Sequence, residues 1–257
     1  MSAYSEIPLA KHINIIASKG KGALGRVLDV IYPPRCLSCT ELTQSGASLC
    51  ADCWQDTIFV TGAACTTCGT PLPGAPAPDI FCDDCITYPP AWDQGRAALI
   101  YDGGGRRAVL ALKHGDRMDM ARPLARWMAR SGSDLLHQAD VIVPVPLHWR
   151  RFVKRRYNQS AELARCLSDI SGVPSVPDLL MRTKATSIQD GLNRIERHEN
   201  QRDVFAINNR RHIPKRVILI DDVMTTGATL SACAEVLRNN GVQKIDVLVL
   251  ARVARDA

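Results

Sequence analysis

The sequence predicts an α/β domain, with a mostly parallel sheet flanked by helices, preceded by a small cysteine-rich module. Three observations carry that expectation. From residue 97 onward short apolar runs alternate with helical patterns, the arrangement that builds a parallel sheet with helices on both faces. Before residue 90, eight of the ten cysteines fall in C-x-x-C pairs, in a segment with too few bulky apolar residues for a core of its own. The length, 257 residues, suits one α/β domain of ordinary size plus something smaller.

Along the chain, Leu24, Val27, Leu28 and Ile31 share one face of a helix that Pro33-Pro34 ends. The cysteine segment runs from 36 to 85, and the composition changes around Pro89-Pro90. Strands are expected at 97–101, 141–145, 204–207, 217–220 and 246–253. Helices are expected at 106–114, 120–136, 160–170 and 226–239, the last closed by Gly241, with a polar segment at 182–202. The expected division is an N-terminal segment 1–34, a metal module 35–90 and an α/β domain 91–257. No apolar run nears the roughly 18 residues of a membrane-spanning helix, so a cytoplasmic protein with no membrane span is expected. The net charge of +6 permits a phosphate or nucleic-acid partner without requiring one.

Cys36-x-x-Cys39 is followed after ten residues by Cys50-x-x-Cys53, and Cys65-x-x-Cys68 after thirteen by Cys82-x-x-Cys85. One tight turn can aim both sulfurs of a pair at the same ion, and two turns complete a tetrahedral Cys₄ shell. Eight ligands imply two zinc ions, structural because no coordination position is left for water. Redox dithiols and an iron–sulfur cluster are the competing readings, and spacing leaves sequential and cross-braced pairing equally open. Cys166 and Cys233, on predicted helices without a second cysteine nearby, are expected as buried small hydrophobes.

The apolar run 216–220 ends in Asp221-Asp222-Val-Met-Thr225-Thr226-Gly227-Ala228-Thr229 before a helical pattern resumes. Ligands of open α/β sheets bind beyond the carboxyl ends of the strands, where this segment falls. Gly227 allows a tight turn and close approach to an anion, and the free N–H groups and the hydroxyls of Thr225, Thr226 and Thr229 supply donors. Two carboxylates would repel a bare phosphate, but they accept hydrogen bonds from vicinal sugar hydroxyls. A ribose 5-phosphate satisfies both halves. The competing reading is a solvated strand end followed by an ordinary helix cap; the segment lacks the G-x-x-x-x-G-K-[ST] pattern of a P-loop.

Residues 149–156 pack five positive charges and two aromatics into eight positions. Arg150, Arg151, Arg155 and Arg156, among Trp149 and Phe152, suit single-stranded nucleic acid, while the same arginines with Lys113 could hold pyrophosphate. A solvated basic face is the plain alternative.

Residues 217–230 resemble the phosphoribosyl-pyrophosphate signature of type I phosphoribosyltransferases. Together with the cysteine pairs and the string Pro144-Val-Pro-Leu-His-Trp-Arg-Arg-Phe-Val-Lys-Arg-Arg-Tyr157-Asn158-Gln159, the chain resembles the ComF family, the competence protein F family. The resemblance implies a type I phosphoribosyltransferase fold carrying a zinc module, with Asp221 and Asp222 on the ribose hydroxyls and residues 225–229, including Ala228, around the 5-phosphate. It implies phosphoribosyl pyrophosphate with magnesium as ligand, single-stranded DNA and DNA-import helicase or translocation proteins as partners, and a role in DNA uptake during competence. Arg156 stands where the family pattern has glycine. The polar stretch 182–202 resembles one in the family, and in type I phosphoribosyltransferases a loop in this region closes over the site; a surface helix is the plain alternative. A second function fits the same signature: a catalytically active phosphoribosyltransferase acting on an unidentified base or amine, whose acceptor site no segment identifies. A third is a zinc-ribbon interaction protein with a relic pocket.

Overall fold

The structure is a computed structural model that describes residues 33–43, 48–114, 117–147, 158–183 and 204–254. Its strands are β1 (Gln94–Ile100), β2 (Val141–Pro144), β3 (Leu180–Arg182), β4 (Phe205–Ile207), β5 (Arg216–Met224) and β6 (Lys244–Arg252). Its helices are α1 (Ala51–Gln55), α2 (Asp83–Thr87), α3 (Gly103–His114), α4 (Ala121–Ser131), α5 (Ser133–Gln138), α6 (Gln159–Ser171) and α7 (Ala228–Asn239), with a 3₁₀ turn at Met118–Met120.

Four strands form the central sheet in the order β1-β6-β5-β2, every neighbouring pair parallel. β5 and β6 are near-continuous apolar runs because both of their faces are covered. Ile218, Ile220, Leu248 and Leu250 pack against Leu112 of α3, Leu124 and Met128 of α4, and Leu163 and Leu167 of α6. On the other face Leu219, Val247 and Val249 meet Leu230 and Leu237 of α7, together with Leu180 and Phe205 of the antiparallel pair β3-β4. Cys166 and Cys233 are buried at 1% and 0% exposure, and burial pushes both thiols up, as expected of small core residues.

The helix expected over 120–136 is two helices, because the chain leaves α-geometry at Gly132 (φ −111°, ψ 23°) and resumes to bury Leu135 and Leu136. The helical periodicity survives the break, and glycine marks it. β5 continues four residues beyond its expected end, carrying both aspartates into the strand. β3 was not expected as a separate strand; at three residues it is too short for a visible alternation. The helix expected at 24–31, the basic segment with Arg150, Arg151, Arg155 and Arg156, and most of the polar segment 182–202 lie outside the described residues. Among those described, no helix is long and apolar enough to cross a membrane.

The cysteine-rich module borrows the α/β domain's backbone. Its segment 58–60 runs antiparallel to β1: the Val60 N–H donates to the Ala98 carbonyl at 3.0 Å and the Ile100 N–H to the Ile58 carbonyl at 2.9 Å. This covers an edge that would otherwise present unpaired N–H and C=O groups. At the start of α3, the Gly104 N–H donates to the Asp56 carbonyl at 2.9 Å, and a Cβ on Gly104 would stand 2.0 Å from Thr57 Oγ1. Arg107 of the same helix pairs with Asp56 at 2.6 Å and donates to Ser38 Oγ at 2.9 Å. Overfilling this seam forces backbone shifts. Gly104→Ala should therefore destabilise the protein by about 1–3 kcal/mol in urea unfolding; unchanged stability would mean that the seam is loose.

Candidate functional site

β2 and β5 run side by side until the Val145 N–H donates to the Ile220 carbonyl at 2.9 Å, and there β2 leaves the sheet. The Asp222 N–H, two residues later, meets no strand among the described residues, and Asp221 Oδ1 accepts it at 2.9 Å. Asp221 Oδ1 also accepts from Ser160 Oγ at 2.9 Å, at the start of α6. Asn158 caps that helix, accepting the Ser160 N–H at 3.1 Å while its Nδ2 donates to the Val145 carbonyl at 3.1 Å. The end of β2, the start of α6 and the first aspartate are thus one hydrogen-bonded unit.

Asp222, 9% exposed, lies against Lys113 of α3, whose Nζ is 3.2 Å from Oδ2. The structure therefore brings Lys113 to the acidic pair, although the two are 109 positions apart. Burial, then the neighbouring Asp222 charge, raises the Asp221 carboxyl from 3.8 to about 7 against the opposing pulls of Ser160 and Lys113.

Beyond β5 the chain forms a small cup lined by Asp221 and residues 223–230. Gly227, at φ +80°, is the N-cap of α7, so the helix's first N–H groups face the cup. Thr225 is exposed, whereas Thr226 Oγ1 accepts the Ala228 N–H at 3.4 Å across Gly227; the N-cap itself has no side-chain cap, so the ordinary helix cap weighed above is not what this loop forms. Asp221 lines the cup with Thr225, Thr226, Gly227, Ala228 and Thr229; Asp222 sits behind it with Lys113.

Two residues that position this loop escaped sequence reasoning. Arg252, 5% exposed at the end of β6, donates from Nη1 to the Met224 and Val253 carbonyls at 3.1 Å each and to the Thr225 carbonyl. It occupies acceptors at the base of the cup, which leaves donors to line it. An arginine closing an apolar strand was a legible sign of a buried charge with fixed partners. Trp92 packs its ring against Gly227, where an added Cβ would lie 2.6 Å from the ring, and its Nε1 donates to the Thr67 carbonyl at 2.6 Å. Nothing in the sequence pairs Trp92 with Gly227.

Thr67 belongs to the turn between Cys65 and Cys68, so the cup touches the second cysteine cluster through one side chain. Cys36, Cys39, Cys50 and Cys53 form one cluster and Cys65, Cys68, Cys82 and Cys85 the other, the sulfurs of each lying within 4.8 Å of one another. The pairing is sequential. Cys39 and Cys50 sulfurs are 3.6 Å apart, as are those of Cys68 and Cys82, close to the roughly 3.8 Å edge of a tetrahedron with Zn–S near 2.3 Å. Burial opposes ionisation of Cys36, but backbone N–H bonds from Cys39, Cys50 and Ser38 outweigh it and hold the thiol at about 6. Each cluster fits one four-coordinate zinc.

A parallel sheet with an acidic strand end and glycine-capped helix, tied to two Cys₄ knuckles, defines a phosphoribosyltransferase-fold protein with a double zinc ribbon. The double zinc ribbon domain family matches residues 27–86 and the phosphoribosyl transferase domain family residues 183–257. Competence protein F of Haemophilus influenzae is 30% identical over 226 residues, covering 85% of this chain and 96% of its own. DNA utilization protein YhgH of Salmonella typhimurium is 30% identical over 230 residues, covering 86% and 97%, and competence protein ComFC of Bacillus subtilis 26% identical over 207 residues, covering 78% and 82%. This chain belongs to the competence protein F (ComF) family.

Two outcomes follow from this geometry. Between about pH 4 and 7 the folded state keeps a proton on Asp221 that the unfolded chain has released, so stability falls as pH rises through that window. Asp221→Asn should remove a slope of up to about 1.4 kcal/mol per pH unit and be more stable than the parent at pH 8, read from thermal melts across pH; equal slopes in the two proteins would contradict the assignment. Sequential clusters also require that Cys53→Ser lose one zinc while the second cluster keeps its own, so elemental analysis should fall from about two ions per chain to about one.

Proposed function

We propose that this protein binds phosphoribosyl pyrophosphate or a related ribose 5-phosphate in the cup after β5 and assists the uptake of single-stranded DNA during competence, in the cytoplasm. The observation that carries the ligand half is the overhang of β5: it sets Asp221 at the rim of a cup whose other wall is the glycine-capped start of α7. Residues 225–229 hold the 5-phosphate with N–H and hydroxyl donors, and Asp221 and Asp222 take the ribose hydroxyls or the magnesium that accompanies pyrophosphate. Lys113 screens Asp222 and turns toward pyrophosphate when the ligand arrives. Arg150, Arg151, Arg155 and Arg156 add positive charge for pyrophosphate or DNA. The DNA half is supported by two relatives whose names concern competence and DNA utilization; DNA-import helicase or translocation proteins are the partners this role requires. Residues 35–90 act as the zinc module and 91–257 as the ligand domain.

A second reading, an active phosphoribosyltransferase with a base or amine acceptor, is favoured by one observation. Asp221 lines the cup with its carboxylate held by the Ser160 hydroxyl at 2.9 Å, and burial raises that carboxyl, an arrangement that suits proton transfer to or from an acceptor.

Calorimetry with phosphoribosyl pyrophosphate and magnesium should show binding that weakens at least about tenfold in Asp222→Ala and is lost in Gly227→Ala, where an added Cβ meets Trp92. No heat from zinc-loaded wild-type protein would end the ligand reading. Pyrophosphate released catalytically with an added acceptor would select the second reading over the first.

A further inference from the structure

On the opposite edge of the sheet from β2, a groove of about 750 Å³ opens between the zinc module and α4. Its floor is Ala98 of β1, one wall is Trp54 and Phe59, and the other is Arg126, Trp127 and Arg130. It shares no lining residue with the cup after β5.

Three aromatic rings form a ladder across it. Trp54 and Phe59 have centroids 4.8 Å apart, and Phe59 meets Trp127 edge-on at 5.2 Å. Phe59 and Trp127 are partly buried and brace the ladder, while Trp54 is left 55% exposed at its open end. A tryptophan supported from behind and bare in front is a stacking platform rather than a core residue.

Beside the ladder, Arg122, Arg126 and Arg130 stand four residues apart along the exposed side of α4. None of them forms an ion pair with a described residue, in a chain where Arg96, Arg107, Arg117, Arg165, Arg211, Arg216 and Arg238 all do. Among the described residues, no acidic side chain lines the groove. The two halves thus ask for different parts of one ligand: planar rings on the aromatics and a row of negative charges along the helix.

We propose that this groove binds single-stranded nucleic acid, with a base stacked on Trp54 and successive phosphates tracking Arg122, Arg126 and Arg130. Paired bases would be unable to present a free face to Trp54, so duplex binds less tightly. This deepens the DNA half of the function proposed above, on which it rests, and is independent of the ribose phosphate half. It places the contact on the seam of zinc module and sheet.

The test is fluorescence anisotropy of labelled oligo-dT and oligo-U, single-stranded and duplexed, with the full zinc-loaded chain. Trp54→Ala should weaken oligo-dT binding about tenfold, and Trp54→Phe should recover most of it. Arg126→Ala/Arg130→Ala should lower the salt dependence of the affinity by about two counterions. Both variants should keep two zinc ions and wild-type affinity for phosphoribosyl pyrophosphate, which separates loss of the groove from loss of the fold. Wild-type affinity for oligo-dT in all these variants, with binding abolished instead by Arg155→Ala/Arg156→Ala, would overturn the groove and leave the DNA reading standing. Absence of nucleic-acid binding in the wild type, or displacement only by an acidic peptide, would overturn both. Equal binding of oligo-dT and oligo-U supports the groove as a stacking site without sugar selection.

Discussion

The candidate site depends on one mismatch in strand length. β2 stops opposite Ile220 while β5 runs on to Met224, still paired with β6 on its other side. An overhang supported along one edge only leaves backbone donors without a strand partner, and such groups must be satisfied locally. Asp221 does so by accepting the Asp222 N–H, and that bond, with the one from Ser160, fixes its carboxylate at the rim. The shape of the acidic wall follows from where β2 leaves, a departure that Asn158 secures by joining the Val145 carbonyl to the start of α6.

The acidic pair is electrostatically costly, and its surroundings divide the cost unequally. Asp222 lies behind the cup with Lys113 at 3.2 Å, an opposite charge in a setting with little water to screen it. Burial, and after it the Asp222 charge alongside, raise the Asp221 carboxyl to about 7 against the pulls of the Ser160 hydroxyl and Lys113. Two chemically identical residues next to each other in sequence thereby meet different partners, Lys113 for Asp222 and the Ser160 hydroxyl for Asp221.

The zinc module is more than an appended domain. With little apolar surface of its own, it relies on metal coordination for internal order and on backbone pairing with β1 for its place. Arg107 ties the first cluster to the helix that carries Lys113, and Trp92 ties the second to Gly227. The second cluster is therefore one side chain from the cup, and the first is joined to the acidic pair through α3. The ribbon supplies part of the scaffold that positions the loop, and the same docking seam creates the aromatic groove.

Much was legible in order of how local its signal is. Cysteine pairs two residues apart specify a metal knuckle within one turn, and the string from Ile220 to Leu230 specifies strand, turn and helix within a dozen positions. Apolar periodicity likewise placed β1, β2, β5, β6 and the helices between them, but missed the break at Gly132, which does not interrupt the buried face, the three-residue β3, and the polar end of β5. The features that tertiary structure alone decided join residues far apart in the chain. Which cysteine pairs share an ion, Lys113 beside Asp222, Trp92 over Gly227, and Trp54 and Trp127 around Phe59 are all contacts across the fold. Local sequence sets what each segment can do chemically, but the partners it meets are set by how the sheet orders its strands and by which edge the zinc module covers.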